Sequence, residues 1–167
     1  KSGNGKEYYK NGKIQFEGKY YNGKRWNGKG YNFEGKEEYE LKYGKGWIKE
    51  YSYLYNYLEF EGEYINGKKN GKGKEYNYYG KLIFEGQYLN GKRIGKCKEY
   101  DYDNEIEFER EYINGKKTEN GKEYSLYGEL LFEGQYLNDE RNGKGKEYCD
   151  NGVVKFEGEY LNGERNG

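Results

Sequence analysis

The 167 residues carry 30 basic and 30 acidic side chains, so the net charge is near zero and no basic field is available to neutralise nucleic-acid phosphates. Only 32% of residues are apolar and mean hydropathy is -1.46, which excludes a thick globular core; no apolar run approaches the ~18 residues of a membrane-spanning helix. Such polarity ordinarily means disorder, but 20% aromatics, balanced charge and a strict internal period argue for a thin, layered fold held by stacked rings.

In chain order, residues 4–15 (NGKEYYKNGKIQ) match the second half of a unit whose first complete copy opens at Phe16. The stretch 16–59 departs from the period. Restarting at Phe33 gives awkward intervals of 17 and 27. Aligning residues 31–36 with 76–81 instead restarts the unit at Tyr39, with intervals of 23 and 21, and makes Tyr39-Leu41-Tyr43 the inward alternation. A compact Tyr43-Gly44-Lys45-Gly46 turn then accounts for the shortening, and the FEGK at Phe33 becomes a Gly-Lys turn. From Phe60 the period is exact to the residue, with starts at 60, 84, 108, 132 and 156. That is the signature of a repeat array. The expected organisation is one array over 1–167, with units opening near 16, 39, 60, 84, 108, 132 and 156 and partial units at both ends. No signal peptide is visible, and the chain reads as a segment of a longer array.

Within a unit, an apolar residue, Phe, Gly and Tyr alternate, as in Leu82-Phe84-Gly86-Tyr88 and Leu130-Phe132-Gly134-Tyr136. Period two places all four on one face of a strand, and Gly between two rings leaves room for a neighbouring aromatic. A turn rich in Asn, Gly and Lys follows (residues 66–71), then a strand built on Lys-Glu-Tyr at residues 74–76, 98–100, 122–124 and 146–148. The unit closes at a second turn, clearest as Asp150-Asn151-Gly152, where Asn-Gly favours a two-residue primed turn. Each unit is therefore a β-hairpin; 28 glycines and recurrent Asn-Gly pairs exclude helix. One hairpin cannot stand alone, because three buried aromatics at about 1.5–3 kcal/mol each offset only part of the ordering entropy. Stacking makes the ring column continuous. The fold class is all-β, an elongated single-layer array of antiparallel hairpins.

Repeats reading aromatic-Glu-Gly-x-aromatic, then Asn-Gly-Lys, then Gly-x-Gly resemble MORN repeats, with Phe-Glu-Gly at 16, 60, 84, 132 and 156. The Lys-Glu-Tyr strand and the Asn-Gly-Lys-Leu-like junction are more similar to the bacterial, antitoxin-associated MORN variant than to the 23-residue form, which would imply an adjacent toxin gene. The resemblance implies an array of antiparallel hairpins with roles in scaffolding, protein–protein contact and phospholipid association. Departures are Arg110 in place of the strand Gly, Asn120-Gly121 displacing the second Gly pair, and one extra residue between Gly73 and Tyr76. A bulge there leaves open which face Tyr76 and its equivalents occupy.

Catalytic constellations are missing. With no His, nucleophile–His pairs and His-based metal sites cannot form. Ser2, Ser52 and Ser125 lie in no nucleophile elbow. Glu85 and Glu99 recur in every unit, whereas a general acid needs one singular environment; the simpler reading is a solvated face paired with Lys. Asp101-x-Asp103-x-Glu105 faintly suggests a calcium loop but has Ile106 where the loop needs Gly, and reads as a hairpin turn. Cys97 and Cys149 fall two units apart, roughly 20 Å by strand spacing, too far for a disulfide; free thiols suit a reducing compartment. No catalytic residue, metal or cofactor is expected.

Two features suggest binding surfaces. Lys24, Arg25, Lys68, Lys69, Lys92, Arg93, Lys116 and Lys117 form a ladder of basic turns about 10 Å apart, suited to an anionic headgroup plane or an acidic partner. It fades at Asp139-Glu140-Arg141 and Glu164-Arg165. The structural alternative is solvated turns whose lysines suppress edge aggregation. The second feature is Tyr51, Tyr53, Tyr55 and Tyr57, beside Trp47 and interrupted by a turn. Tyr offers large contact area at low entropy cost, although some of these rings could simply extend the stacked column. The leading expectation is a non-catalytic scaffold whose aromatic, glycine-spaced face receives a protein or peptide. The alternatives are a peripheral module binding anionic phospholipid through the basic turns, and a carbohydrate or cell-wall repeat, against which only two Trp count. Open sheet ends make a second copy of the chain a further partner. The expected location is cytoplasmic, with membrane or cytoskeletal association.

Overall fold

Two kinds of turn organise the chain. In the computed structural model, which describes residues 2–101 and 106–166, the strands that pair within each compact unit pair antiparallel with their neighbours in sequence, and no helix occurs among the described residues. The chain divides into two compact units, Lys1–Lys92 and Arg93–Gly167. The first contains a four-stranded sheet of β1 (Gly3–Tyr8), β2 (Ile14–Tyr21), β3 (Lys24–Tyr31) and β4 (Glu37–Leu41). A second run follows in order: β5 (Gly46–Tyr51), β6 (Leu58–Ile65), β7 (Lys68–Tyr76) and β8 (Leu82–Leu89). The second unit holds β9 (Lys92–Tyr100), β10 (Ile106–Ile113), β11 (Lys116–Ser125), β12 (Leu130–Leu137), β13 (Glu140–Tyr148), β14 (Val154–Leu161) and β15 (Glu164–Arg165), again in chain order.

At one edge of each unit, two-residue turns join the strands. Asn66-Gly67, Asn90-Gly91 and Asn114-Gly115 have both residues at positive φ, the primed geometry that matches strand twist. Only these two residues form the turn; the lysines after them already belong to the next strand. At the other edge the turns are longer. Asn32 Oδ1 accepts from the backbone N–H of Glu34 and Lys36, and Asn77 Oδ1 from those of Tyr79 and Lys81. Asp150-Asn151-Gly152 belongs to this longer class: Gly152 alone has positive φ, and Val153 N–H donates to Asn151 Oδ1. The expected two-residue primed turn is therefore at the opposite edge from where Asn151-Gly152 placed it. Tyr43 also departs from expectation. Tyr39 and Leu41 are buried, but Tyr43 occupies the first, positive-φ position of a primed turn and is 71% exposed.

The core of each unit is one layer of rings on one face of its sheet. Phe16, Phe60, Phe84 and Phe132 are fully buried. Phe60 packs edge-on against Tyr88 of the next hairpin at 5.5 Å, and Phe132 against Tyr160 at 5.1 Å; each such pair contributes about 0.5–1.5 kcal/mol beyond its area. Glycines pair across strands beneath the rings: Gly62 with Gly73, Gly73 with Gly86, Gly134 with Gly145, Gly145 with Gly158. A methyl at Gly73 would lie 2.7 Å from Cε2 of Phe60, so the column is glycine because the ring edge occupies the place of a Cβ. In the irregular stretch Leu41 and Ile48 fill the equivalent column positions opposite Gly28 and Gly62.

Candidate interaction surfaces

A ring layer on an open sheet needs a cover, and the basic residue at the second position of the strand after each two-residue turn supplies it. Arg25 lies 5.0 Å above Phe16, Lys69 Nζ 3.7 Å above Phe60, Arg141 4.2 Å above Phe132 and Arg165 4.6 Å above Phe156. Each cation is tied down by the Glu of a Lys-Glu-Tyr strand. Arg25 bonds Glu7, Lys69 reaches Glu50 at 3.4 Å, Arg141 Nε reaches Glu123 at 3.1 Å, and Arg165 bonds Glu147. The same carboxylates accept the tyrosine hydroxyl of the following strand: Tyr20 to Glu7 at 2.7 Å, Tyr64 to Glu50 at 2.5 Å, Tyr160 to Glu147 at 3.0 Å. Burial pushes the Glu7 carboxyl up, but hydrogen bonds from Arg25 and Tyr20 outweigh it and hold it below the usual carboxylate range. The bond from Arg165 holds Glu147 low against a smaller effect of burial. Burial, followed by the neighbouring glutamate, pushes the Tyr20, Tyr64, Tyr112 and Tyr136 hydroxyls up, keeping them neutral donors.

This arrangement divides the basic ladder. Arg25, Lys69, Arg93 and Lys117 are engaged with glutamates, Arg93 and Lys117 both meeting Glu99. Lys24, Lys68, Lys92 and Lys116 have no acidic partner among the described residues. The recurrent carboxylates divide too. Glu85 pairs with Lys74 at 3.6 Å on the polar face, as expected. Glu99 does not belong to a solvated face; it sits within the ring layer, bonded to Tyr112 and Arg93.

The Lys-Glu-Tyr tyrosines lie on the polar face. The register shifts between Glu75 and Tyr76 and between Glu147 and Tyr148. Tyr76 then donates to Glu61 at 2.7 Å and Tyr148 to Glu133 at 2.6 Å, each glutamate adjoining a core Phe in sequence. On this face each unit carries a shallow groove floored by the glycine column and walled by alternating Lys and Glu. One, of about 730 Å³, runs past Lys6, Glu17 and Lys29; the other, of about 740 Å³, past Lys122, Glu133 and Lys146. Ion pairs such as Lys6–Glu17 at 2.8 Å and Lys122–Glu133 at 3.1 Å neutralise their walls.

The tyrosine run is split by the strand end. Tyr51 closes β5, and residues 52–57 form a loop in which Ser52 N–H donates to Tyr57 O at 3.0 Å. Lys10 N–H donates to Tyr53 O at 3.2 Å, tying the loop to a neighbouring turn. Trp47, Tyr53 and Tyr55 are exposed, while Tyr51 and Tyr57 are half-buried, so no plane of four rings forms. Sequence reasoning missed Trp26, whose ring lies 5.2 Å from that of exposed Tyr21 at a 49° tilt; it is the extra residue of a β3 bulge, outside any period.

Among the described residues, no group of three or more His, Cys, Asp or Glu could hold a metal ion. The calcium-like candidate at Asp103 and Glu105 lies outside the described residues. Cys97 is buried and Cys149 exposed, and no disulfide joins them. No described helix is long and apolar enough to cross a membrane.

Stacked hairpins with one ring layer and periodic glycines define a repeat protein of the interaction type. The MORN repeat family model matches residues 1–14, 60–77, 84–105, 132–154 and 156–167, more than half of the sequence, and the chain belongs to the MORN repeat family. MORN repeats are generally protein- or membrane-interaction modules. No curated protein matches the chain.

Proposed function

We propose that the chain is a non-catalytic scaffold that binds protein or peptide partners, forming one array with units opening near residues 16, 39, 60, 84, 108, 132 and 156. The observation that carries this reading is where the exposed apolar residues lie. Every large hydrophobic side chain exposed among the described residues sits in a turn or within three residues of one. The glycine-spaced ring face supports a partner indirectly. Its Phe rings are buried or half-buried, and its Tyr hydroxyls and cations are engaged with glutamates, so it supplies rigidity rather than contact area. Contact then falls to the edges, including Trp47, Tyr53 and Tyr55. Rigid, pre-ordered aromatics lose little entropy on binding.

A test is affinity capture on the immobilised chain, compared with a Tyr53→Ser/Tyr55→Ser variant and a Trp47→Ser variant. Selective loss of a reproducible protein partner is expected; absence of any protein retained above a scrambled-surface control overturns the reading.

A second reading, peripheral association with anionic phospholipid, is favoured in the first unit by Lys24, Lys68 and Lys92 standing beside exposed Tyr21, Ile65 and Leu89, and in the second by Lys116 beside exposed Ile113. The three cations of the first unit near a surface at ~1 kcal/mol each give weak, salt-sensitive binding. Vesicle sedimentation across salt decides it: equal sedimentation with neutral and phosphatidylserine vesicles, or no weakening with salt, removes it.

A further inference from the structure

The packing of the first unit leaves one sequence pattern unused. Its four primed turns read Tyr21-Asn22-Gly23-Lys24, Tyr43-Gly44-Lys45, Ile65-Asn66-Gly67-Lys68 and Leu89-Asn90-Gly91-Lys92. Each contributes one exposed apolar residue and one lysine, and none contributes an acid. Trp26 packs at a tilt against Tyr21 and Trp47 is exposed nearby in sequence, so both tryptophans of the chain lie close to this edge. Trp and Tyr dominate the residues that carry binding energy in interfaces.

Charge separates this edge from the rest of the sheet. Lysines farther along the strands are paired: Lys6 with Glu17, Lys29 with Glu37, Lys49 with Glu38, Lys74 with Glu85. Lys24, Lys45, Lys68 and Lys92 have no acidic partner among the described residues. The edge is therefore apolar along its middle and positive beside it, which suits a partner that is apolar and acidic.

Backbone bonding selects the partner's form. The turns are already joined to one another: Gly44 N–H donates to Trp26 O at 2.6 Å, Gly67 N–H to Gly44 O at 3.0 Å, and Gly91 N–H to Lys69 O at 2.8 Å. These groups are unavailable to an extended peptide, which needs them for strand addition. A helix brings its own backbone bonds satisfied. Spacing agrees for part of the edge. The Ile65 and Leu89 turns are two paired strands apart, about 9.6 Å, while seven helical residues rise about 10.5 Å. The Tyr21 and Tyr43 turns pack more closely: Gly67 N–H reaches Gly44 O at 3.0 Å, and a methyl at Gly67 would lie 2.9 Å from Cβ of Lys24.

We propose that this edge docks an acidic amphipathic α-helix of a partner protein. Apolar residues along one helix face would meet Tyr21, Tyr43, Ile65 and Leu89, the last two a heptad apart, and flanking carboxylates would meet the lysines. The inference rests on reading the chain as a protein-interaction module. The second unit provides an internal control. Its turns pair Ile113 with Lys116, but Leu137 with Glu140 and Leu161 with Glu164, so its charge changes sign and its aromatic anchors are missing.

The probe is a synthetic helical peptide of four heptads on an alanine background, with Leu at the first position of each heptad and flanking Glu. Its twin carries Lys for Glu, and a third version carries mid-chain prolines. Fluorescence anisotropy on the full chain should show the Glu peptide binding at least about tenfold more tightly than the Lys twin, with the proline version not bound. Tyr43→Asn restores the Asn-Gly of the other turns, and Ile65→Thr keeps a β-branched strand residue, so both should fold, as circular dichroism will check. Each should weaken the Glu peptide about fivefold or more, while Leu137→Thr changes it less than about twofold.

Equal affinity for the Glu and Lys peptides overturns the proposal. So does equal loss in Leu137→Thr, or a Tyr43→Asn effect confined to phosphatidylserine vesicles. A captured natural partner that tolerates Tyr43→Asn and Ile65→Thr overturns the helix edge and leaves the module reading standing. The module reading falls only on the capture experiment.

Discussion

Tyr136 donates its hydroxyl to Glu123 at 2.7 Å although the two lie on successive hairpins, thirteen residues apart. The same carboxylate receives Nε of Arg141 at 3.1 Å, and Arg141 covers Phe132. One glutamate therefore fixes the ring that fills the layer and the cation that closes it. It is nearly buried, at 6% exposure.

Removing it should be costly. Glu123→Ala leaves the Tyr136 hydroxyl and one side of Arg141 without an acceptor, though Arg141 keeps Glu147 at 3.2 Å. Breaking a buried pair costs about 3–5 kcal/mol; with Arg141 still partnered, about 2–3 kcal/mol is expected. Glu123→Gln, which keeps an acceptor of the same shape, should cost about 1 kcal/mol. Urea midpoints measure both. If Glu123→Ala unfolds no earlier than Glu119→Ala, an exposed control, the carboxylate does not hold the layer.

Gly145→Ala tests the glycine column. A methyl there would lie 2.6 Å from Cε2 of Phe132 and 3.3 Å from Cε2 of Tyr160. Neither ring can yield without leaving the layer. Overpacking costs about 1–3 kcal/mol, and the upper end is expected because two rings are displaced. Gly152→Ala meets open space but has φ of 76°, so its cost is backbone strain of about 1 kcal/mol. Hydrogen exchange should show Gly145→Ala loosening β12 to β14 together, whereas Gly152→Ala loosens only its turn.

How much of this was legible follows from parity. The Phe–Gly–Tyr alternation has period two and lies in unbroken strand, so its burial could be read directly from residues such as Phe84, Gly86 and Tyr88. The face of Tyr76 could not be read, because it follows from Glu75, which lies opposite Phe60 and Phe84 in the ring layer and so leaves Tyr76 on the other face. Lys69 was equally opaque: a turn lysine looks solvated until the ring beneath it is located. Trp26 followed no period because it is itself the bulged residue.

The carboxylate network sets an acid limit and the tyrosines an alkaline one. Glu7 and Glu147 titrate below their ordinary value of 4.5 in the folded chain. Their contribution is present above about pH 4.5 and is lost as pH falls through their folded values, because the unfolded chain takes up protons first. Tyr148 moves the other way. Its hydrogen bond to Glu133, aided by burial, pushes it up from 10.0 to about 12. That contribution is complete below pH 10 and is lost as pH rises through about 12. The urea midpoint should be flat between about pH 6 and 9 and fall on both sides. Tyr148→Phe should shrink the alkaline fall and, because the same hydrogen bond holds the Glu133 carboxyl low, shrink the acid one as well; an unchanged alkaline limb would contradict the assignment.

Arg110 is the place where the column breaks its own rule. It pairs with Gly121 in the glycine register, is 4% exposed, and lies 3.5 Å above the Tyr136 ring. Its Nη1 is buried with no hydrogen-bond partner, and Phe108 is only half-buried, whereas Phe132 in the regular unit is fully covered. Stacking on Tyr136 returns about 0.5–2 kcal/mol, against about 1–3 kcal/mol or more for a buried charged donor left unmade. Arg110→Gly removes that donor and lets Phe108 settle as Phe132 does, at a glycine cost of about 0.5–1 kcal/mol. A net gain of about 1 kcal/mol is expected, read as a Tm rise of a few degrees. Arg110→Lys, which keeps the buried charge but loses the planar stacking, should lower Tm. A fall in Arg110→Gly would mean that the guanidinium–Tyr136 contact outweighs the orphaned donor.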